Sequence, residues 1–256
     1  MIVIKNLSKK YGQLEVLKDL NLVVNEGETL VILGRSGVGK SVLLRQILGI
    51  EPHDSGTIEI DGKNLAEMTN DELLNTQKKM GMLFQGAALF DSMTVGENVA
   101  FYLRQNETKL SETEIKDRVS EALAMVDLSG TEQKMPSDLS GGMRKRAALA
   151  RVIIYRPRIV LYDEPTTGLD PITAMQINKM IINTKKKLKS TSIVVTHDIK
   201  SAMEVGDRLA FHSDKKIAYI AKKDEFMNID DPLIKAFFEN ASLTEEYLTG
   251  IKNGRS

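Results

Sequence analysis

Several short, mainly apolar runs punctuate the chain, and they predict strands of an α/β core. They occupy residues 29–33, 81–84, 159–164 and 192–196. Runs of this length are typical of strands that are buried on both faces of a parallel sheet. The first run is followed by glycines and then by residues 41–48, whose apolar positions have helical spacing.

Other segments predict antiparallel strands beside this core. Residues 2–4, 20–24 and 57–60 have the composition of short strands, and the last is followed by the turn pair Asp61-Gly62. We expect them to form a small antiparallel sheet. Residues 207–220 predict a hairpin that turns at residues 214–216.

The apolar spacing becomes helical between residues 86 and 155, where the pattern predicts no strand. Ser111 and Glu114 form a capping-box pattern that opens a helix. Apolar side chains lie on one face of that helix, at Ile115, Val119, Ala122, Leu123 and Val126. Residues 86–155 are therefore predicted to be a helical insert in an α/β core.

Three predicted units follow: an α/β core at residues 1–85 and 156–225, the helical insert, and a helical tail at 226–256. The tail carries Phe226, Phe237, Phe238 and Tyr247. We expect it to pack on its own core, with a contact arm for a partner as the alternative. An apolar loop with Leu89, Phe90 and Met93 is a candidate docking surface, unless it packs beneath the insert.

Bulk composition excludes several classes of protein. The chain has 256 residues, 42% of them hydrophobic, a formal net charge of +0 and no cysteine. Neutral charge favours no nucleic-acid partner. Disulfides and thiolate metal sites need cysteine. The N-terminus lacks the pattern of a signal peptide, and no run approaches about 18 apolar residues, so any membrane role is expected through a partner.

Residues 34–41 match the phosphate-binding pattern G-x-x-x-x-G-K-S between a predicted strand and a predicted helix. Its glycines let backbone amides surround an anion at a helix N-terminus. Lys40 can reach the β- and γ-phosphates of a nucleotide, and the Ser41 hydroxyl can bind Mg²⁺. The residues predicted to bind ATP in this loop are Gly34, Arg35, Ser36, Gly37, Val38, Gly39, Lys40 and Ser41.

Polar residues follow the other core strands, and parallel strands gather such ends at one edge of a sheet. Asp163 is predicted to hold Mg²⁺ through water, which leaves Glu164 to polarise the attacking water. Gln85 is predicted to contact Mg²⁺ or that water, and His197 to face the γ-phosphate. Tyr11, in a predicted loop, is a candidate platform for adenine.

A second anion site is predicted at Ser140, Gly141 and Gly142, where a serine and two glycines open a helix. One chain has no need of two γ-phosphate sites, whereas a head-to-tail dimer does. Asp170 and Pro171 are predicted to be the N-cap and first residue of a later helix. His53 and His212, in predicted turn and strand-edge positions, are given no role.

The order of these motifs resembles that of ABC-transporter ATPase subunits over residues 2–225. It runs from Tyr11 through the loop at 34–41, Gln85, the signature segment (residues 139–143) and residues 159–164 to Asp170 and His197. The resemblance implies a RecA-like P-loop NTPase core with an antiparallel β subdomain and an inserted helical subdomain. It also implies a homodimer that closes around two ATP and Mg²⁺, with Ser140 to Gly142 and Asp170 acting across the dimer.

A finer resemblance, carried by residues 82–101 and 139–149, is to the Mla-type ATPases of MCE lipid-transport systems. Met143 stands where the wider family usually has glutamine, and methionine is usual in this subgroup. The resemblance implies phospholipid cargo, integral-membrane permease subunits, an MCE-domain lipid-binding protein and a small accessory subunit. It places the chain peripherally on the cytoplasmic face of the inner membrane.

Other functions remain open at this level. An importer ATPase for a small solute would carry the same motifs. A non-transport ABC module acting on DNA or ribosomes usually has tandem cassettes or basic arms, which are not evident here. A nucleotide sensor without hydrolysis is disfavoured by the presence of both Glu164 and His197.

Overall fold

The computed structural model describes residues 1–240, which form two sheets and surrounding helices. The larger sheet has the strand order β10-β9-β3-β8-β7-β6. Its strands are β3 (Thr29–Leu33), β6 (Met80–Leu83), β7 (Ile159–Asp163), β8 (Thr191–Thr196), β9 (Arg208–Ser213) and β10 (Lys216–Lys222). Strand β10 is antiparallel to β9, and the other neighbours pair in parallel.

Strands β3, β6, β7 and β8 are buried at every position, as expected for a sheet covered on both faces. Successive side chains of β3 enter different cores. Val31 and Leu33 pack in the core that includes the helical insert. Leu30 and Ile32 pack in a second core on the opposite face of the sheet. Both faces of each strand are therefore apolar, which explains why these segments appear as continuous apolar runs in the sequence.

The smaller sheet is antiparallel, with the order β2-β1-β4-β5. Its strands are β1 (Ile2–Tyr11), β2 (Leu14–Val24), β4 (Ser55–Ile60) and β5 (Lys63–Asn64). The predicted sheet is confirmed, but β1 and β2 extend well beyond residues 2–4 and 20–24. Register shifts after Ile4 and again after Leu7 interrupt the two-residue alternation in β1, so the pattern no longer indicates a strand there.

Helices cover the larger sheet and form the insert. They are α1 (Lys40–Ile47), α2 (Asn70–Gln77), α3 (Val95–Asn106), α4 (Glu112–Ala124), α5 (Gly141–Ile153), α6 (Pro171–Leu188), α7 (Ile199–Val205), α8 (Lys223–Phe226) and α9 (Pro232–Asn240). The predicted capping box at Ser111 is confirmed, and Thr69 and Thr94 form two more. Within residues 1–240 no strand lies between β6 and β7, as predicted.

The loop before α3 is held from beneath by a fully buried asparagine. The amide of Asn98 accepts from the Phe90 N–H at 2.8 Å and donates to the Phe90 carbonyl at 3.0 Å. Phe90 itself stays 42% exposed, while Leu89 is partly buried against the core. The loop therefore has both a packed side and an exposed aromatic side chain.

The described part of the tail packs on its own chain. Phe226 and Ile234 are buried, and the Phe237 ring lies 5.2 Å from that of Phe211 in β9. Packing of this part on the core is confirmed, and the prediction for Tyr247 lies outside the described residues. Across residues 1–240, no helix combines the length and apolar character that a membrane span needs.

Candidate functional site

The register of the parallel strands explains why distant polar residues meet. Leu33 of β3 is level with Thr196 of β8 and with Phe211 of β9, and Asp163 of β7 is level with Val195. The residues that follow these strands therefore leave the sheet at one edge, where residues 34–39 lead into α1.

Two glycines of this loop have conformations that other residues avoid. Gly37 has φ 83° and Gly39 has φ 100°. A Cβ at Gly39 would also lie 2.6 Å from Val16 Cγ1, so this position excludes even alanine without a shift of β2. The loop can therefore curl directly into the N-terminus of α1, which begins at Lys40 and suits an anion.

Lys40 is buried and turned toward its own loop. Its Nζ donates to the carbonyls of Gly34 at 2.7 Å and Arg35 at 2.9 Å, and lies 3.3 Å from Glu164 Oε1. Burial lowers the pKa of Lys40, and the charge of Glu164 acts in the opposite direction. A phosphate group would offer this ammonium stronger acceptors than the two carbonyl oxygens do.

Asp163, the last residue of β7, lies behind the phosphate loop. Its Oδ1 accepts a hydrogen bond of 2.8 Å from the Ser41 hydroxyl. Burial raises the pKa of this carboxyl group, and the bond from Ser41 opposes that effect. A hydroxyl and a carboxylate at this separation offer the hard oxygen donors that Mg²⁺ prefers.

Glu164 is more tightly held than the sequence predicts. Besides Lys40, its carboxylate contacts the Thr167 hydroxyl and His197 Nδ1, each 2.9 Å from Oε2. Burial alone would raise the pKa of Glu164, but the charge of Lys40 and the bonds from His197 and Thr167 keep it below its ordinary value. Both carboxylate oxygens of Glu164 therefore have partners, Lys40 at Oε1 and the Thr167 and His197 side chains at Oε2.

A cavity of ≈ 370 Å³ brings most of the predicted residues together. Its lining includes Tyr11, Ser36, Gly37, Gly39, Lys40, Ser41, Gln85, Glu164, Thr167 and His197. Tyr11 is the last residue of β1 rather than a loop residue, since the pairing with β2 continues to the hairpin turn. Its ring is 45% exposed at the cavity rim, and its hydroxyl donates to Glu51.

The signature segment does not line this cavity. Ser140 caps α5 by accepting from the Met143 N–H at 3.3 Å, and Ser140 and Gly141 are exposed. The predicted cap at Asp170 is also confirmed, since its Oδ1 accepts from the Thr173 N–H at 3.0 Å. The starts of α5 and α6 lie against each other, because a Cβ at Gly142 would come within 2.5 Å of Thr173 Cγ2.

Sequence reasoning missed three residues near the site. Thr167 binds Glu164, and the buried Lys145 donates from Nζ to the Glu164 carbonyl at 3.1 Å. His212 is not at a strand edge: it is 1% exposed in β9, between β3 and β10. Its carbonyl oxygen would lie 2.7 Å from a Cβ at Gly34. No composition or spacing pattern in the sequence could have identified these three residues, because the position of each relative to the site depends on contacts between segments that are distant in the chain.

His212 provides a test of this packing by pH. Burial, followed by the charge of Lys40, lowers its pKa from 6.5 to about 4. Between these values the unfolded chain binds a proton that the folded chain does not, so stability is lost as the pH falls. The unfolding free energy of the wild type should decrease between pH 7 and 4.5, and about 2 kcal/mol of that decrease should come from His212. We expect this contribution to be absent in His212→Asn. Denaturant unfolding at both pH values measures it, and an unchanged decrease in His212→Asn would contradict the burial argument.

The parallel sheet, the glycine loop and the acids at the end of β7 define a P-loop nucleotide-binding protein of the α/β class. A family model described as "ABC transporter" matches residues 17–167. This chain belongs to the ABC transporter family, and its fold is that of the family's ATPase domain.

Known relatives and solved structures agree with this assignment. The probable ribonucleotide transport ATP-binding protein mkl of Mycobacterium tuberculosis is 39% identical over 236 residues, which are 92% of this chain and 66% of mkl. The intermembrane phospholipid transport system ATP-binding protein MlaF of Haemophilus influenzae is 38% identical over 242 residues, 94% of this chain and 91% of MlaF. A dimeric post-hydrolysis structure of the ATP-binding cassette MJ0796 with ADP and Pi is 33% identical with a TM-score of 0.80, over 87% of this chain and 99% of that one.

Proposed function

We propose that this chain is the ATP-hydrolysing subunit of an ABC transporter that powers a membrane permease. The observation that carries the proposal is the convergence of Lys40, Glu164 and His197 on one cavity beside the helix N-terminus of α1. A polyphosphate entering there meets backbone amides, a buried cation and a carboxylate with its own hydrogen-bond partners. These are the components of phosphoryl transfer to water.

In the proposed reaction, water attacks the γ-phosphorus of ATP in line with the leaving ADP. Glu164 accepts the proton of that water, and His197 holds the water and the γ-phosphate in position. Lys40 leaves the carbonyls of Gly34 and Arg35 and stabilises the charge that develops on the phosphate oxygens. The adenine base stacks on Tyr11, whose exposed ring lies at the cavity rim.

The residues present fit a magnesium ion. Ser41 and Gln85 would bind it directly and Asp163 through water, and the ion would neutralise the charge of the β- and γ-phosphates. Residues 1–240 contain no cluster of acidic or histidine side chains that could hold a metal alone. This arrangement suits Mg²⁺, which usually completes its coordination with water and substrate phosphates.

The second part of the proposal is a composite site in a homodimer. Ser140, Gly141, Gly142 and Asp170 do not line the cavity of their own chain, and they lie together at the starts of α5 and α6, which form one surface. We assign this surface to the ATP bound by the other subunit, where the N-terminus of α5 would meet the γ-phosphate. The dimeric form of MJ0796 supports the arrangement.

Mixing two inactive variants tests this composite site. Lys40→Ala damages the nucleotide side of a subunit and Ser140→Ala damages the partner-facing side, so neither homodimer should hydrolyse ATP well. A mixed dimer has one site with both sides intact, and random mixing should restore roughly a quarter of the wild-type rate. A phosphate-release assay measures it, with each variant alone as control. No recovery in dimers that are shown to mix would contradict the composite site.

For the cargo, we propose phospholipid transport of the Mla type, with an MCE-domain lipid-binding protein and a small accessory subunit as further partners. The resemblance over residues 82–101 and the likeness to MlaF over 91% of its length support it. The chain would then work peripherally on the cytoplasmic face of the inner membrane. We assign the exposed side of the 86–103 segment, including Phe90, to contact with the permease.

A small solute is the second candidate cargo, because the name of mkl refers to ribonucleotide transport. Purification of the complex with its membrane partners, followed by mass spectrometry of bound small molecules, separates the two. Enrichment of phospholipid over a control membrane protein in the same detergent supports the Mla type. A bound solute without lipid enrichment would replace it.

A further inference from the structure

Lys145 is a buried cation whose place in the site has no explanation in the motifs. It is 6% exposed, on the second turn of α5. Its Nζ donates to the backbone carbonyl of Glu164 at 3.1 Å. Within residues 1–240 no carboxylate lies at ion-pair distance from it, although Asp163 and Glu164 are near enough to counteract the lowering of its pKa by burial.

Such an arrangement is costly if its purpose is only packing. Removal of an ammonium group from water is unfavourable unless other groups compensate for the lost hydration. A methionine would fill a similar volume without that cost. The hydrogen bond to Glu164 therefore points to a role in the placement of that residue.

The backbone at Glu164 is where a small shift would matter most. The residue has φ 47°, in the left-handed region, just after β7 ends. Its N–H donates to the Val195 carbonyl at 2.9 Å, and its carbonyl accepts from Lys145. The direction of the carboxylate depends on this peptide geometry, which Val195 fixes from one side and Lys145 from the other.

Helix α5 also contacts the segment that follows Glu164. Gly141 lies four residues before Lys145 and therefore on the same face of the helix. A Cβ at Gly141 would lie 3.9 Å from Leu169, and one at Gly142 would lie 2.5 Å from Thr173. The first two turns of α5 thus contact the 164–173 segment at both of its ends.

We propose that Lys145 is a positioning residue that transmits the position of the signature segment to the carboxylate of Glu164. This rests on the proposed function, in which Ser140 meets the nucleotide of the second subunit. When contact with that nucleotide moves helix α5, the Lys145 ammonium moves with the helix. The hydrogen bond from Lys145 then displaces the Glu164 carbonyl. Each subunit then adjusts its own catalytic base in response to the ATP of its partner.

The first test compares Lys145→Met with Lys145→Arg in the full chain. Methionine removes the donor and the charge, and we expect kcat to fall about tenfold or more, because small misplacements of catalytic groups are costly. The Kd for ATP should stay within about twofold, since Lys145 does not line the cavity. Arginine keeps a donor and should recover much of the rate. The exposed Lys116→Met is the control and should behave as wild type.

Three outcomes would overturn the proposal: a wild-type kcat in Lys145→Met, an equal loss in the arginine variant, or a loss of ATP binding and thermal stability in parallel with kcat. Glu164→Gln separates this from a failure of the proposed function. If wild type hydrolyses ATP and Glu164→Gln does not, the function stands whatever Lys145→Met does. If wild type itself is inactive with its partners present, the function fails and this inference with it.

A double-mutant cycle tests the transmission step. If Lys145 passes on what Ser140 senses, Ser140→Ala combined with Lys145→Met should reduce kcat little more than the more damaging single substitution. Fold-losses that multiply would mean that the two residues act independently, and this would overturn the transmission while leaving the composite site intact.

Discussion

Glu164→Gln is expected to bind ATP normally and to lose turnover by about two to four orders of magnitude, which is the usual contribution of a general base. Glutamine keeps the shape of the side chain and can still bond to Thr167 and His197, which lie 2.9 Å from Glu164 Oε2. It cannot accept the proton of the attacking water. Because ATP would remain uncleaved, the variant should accumulate as a closed dimer.

Steady-state phosphate release and size-exclusion chromatography with ATP measure both effects. Glu121→Gln, an exposed glutamate paired with Arg156 and Lys187, is the matched control and should retain turnover. If Glu164→Gln hydrolyses ATP at the wild-type rate, the assignment of the base is wrong. The lowered pKa of Glu164 keeps the carboxylate ionised at neutral pH, as a base requires.

Lys40→Ala should lose ATP affinity more strongly than any other single change in the loop. Truncation of one partner of a buried, hydrogen-bonded charge pair costs about 2–5 kcal/mol, which is roughly a 30- to 4,000-fold rise in Kd. In this protein the change also leaves Glu164 without the cation 3.3 Å from its Oε1. We therefore expect the pKa of Glu164 to rise in the variant.

Calorimetric titration with a non-hydrolysable ATP analogue gives the affinity, and a thermal melt shows whether the variant is folded. Lys116→Ala removes an exposed lysine from α4 and should bind as wild type does. An unchanged Kd in Lys40→Ala would refute the role of this residue. If the variant unfolds, Lys40→Met, which retains most of the apolar side chain, permits the same measurement.

Much of the fold could be predicted because its signals are local. The core strands are apolar on both faces, and the helices begin at capping residues such as Ser111, Ser140 and Asp170. The length of β1 could not be predicted, because bulges interrupt the alternation of apolar and polar residues along it. Its later residues belong to the strand because they pair with distant segments, which no local sequence pattern indicates. The edge position predicted for His212 failed for a related reason, since the strand order is set by long-range pairing.

The sequence by itself determined the phosphate loop, since glycine conformations, a helix N-terminus and a lysine are all encoded within residues 34–41. It also determined which strands end in polar residues. Only the tertiary structure decided what those residues do to one another: the enclosure of Glu164 by Lys40, Thr167 and His197, and the bond from Lys145. The tertiary structure also decided that Ser140 does not line the cavity of its own chain. The reason is physical: distances and burial depend on the packing of segments that are far apart in the chain.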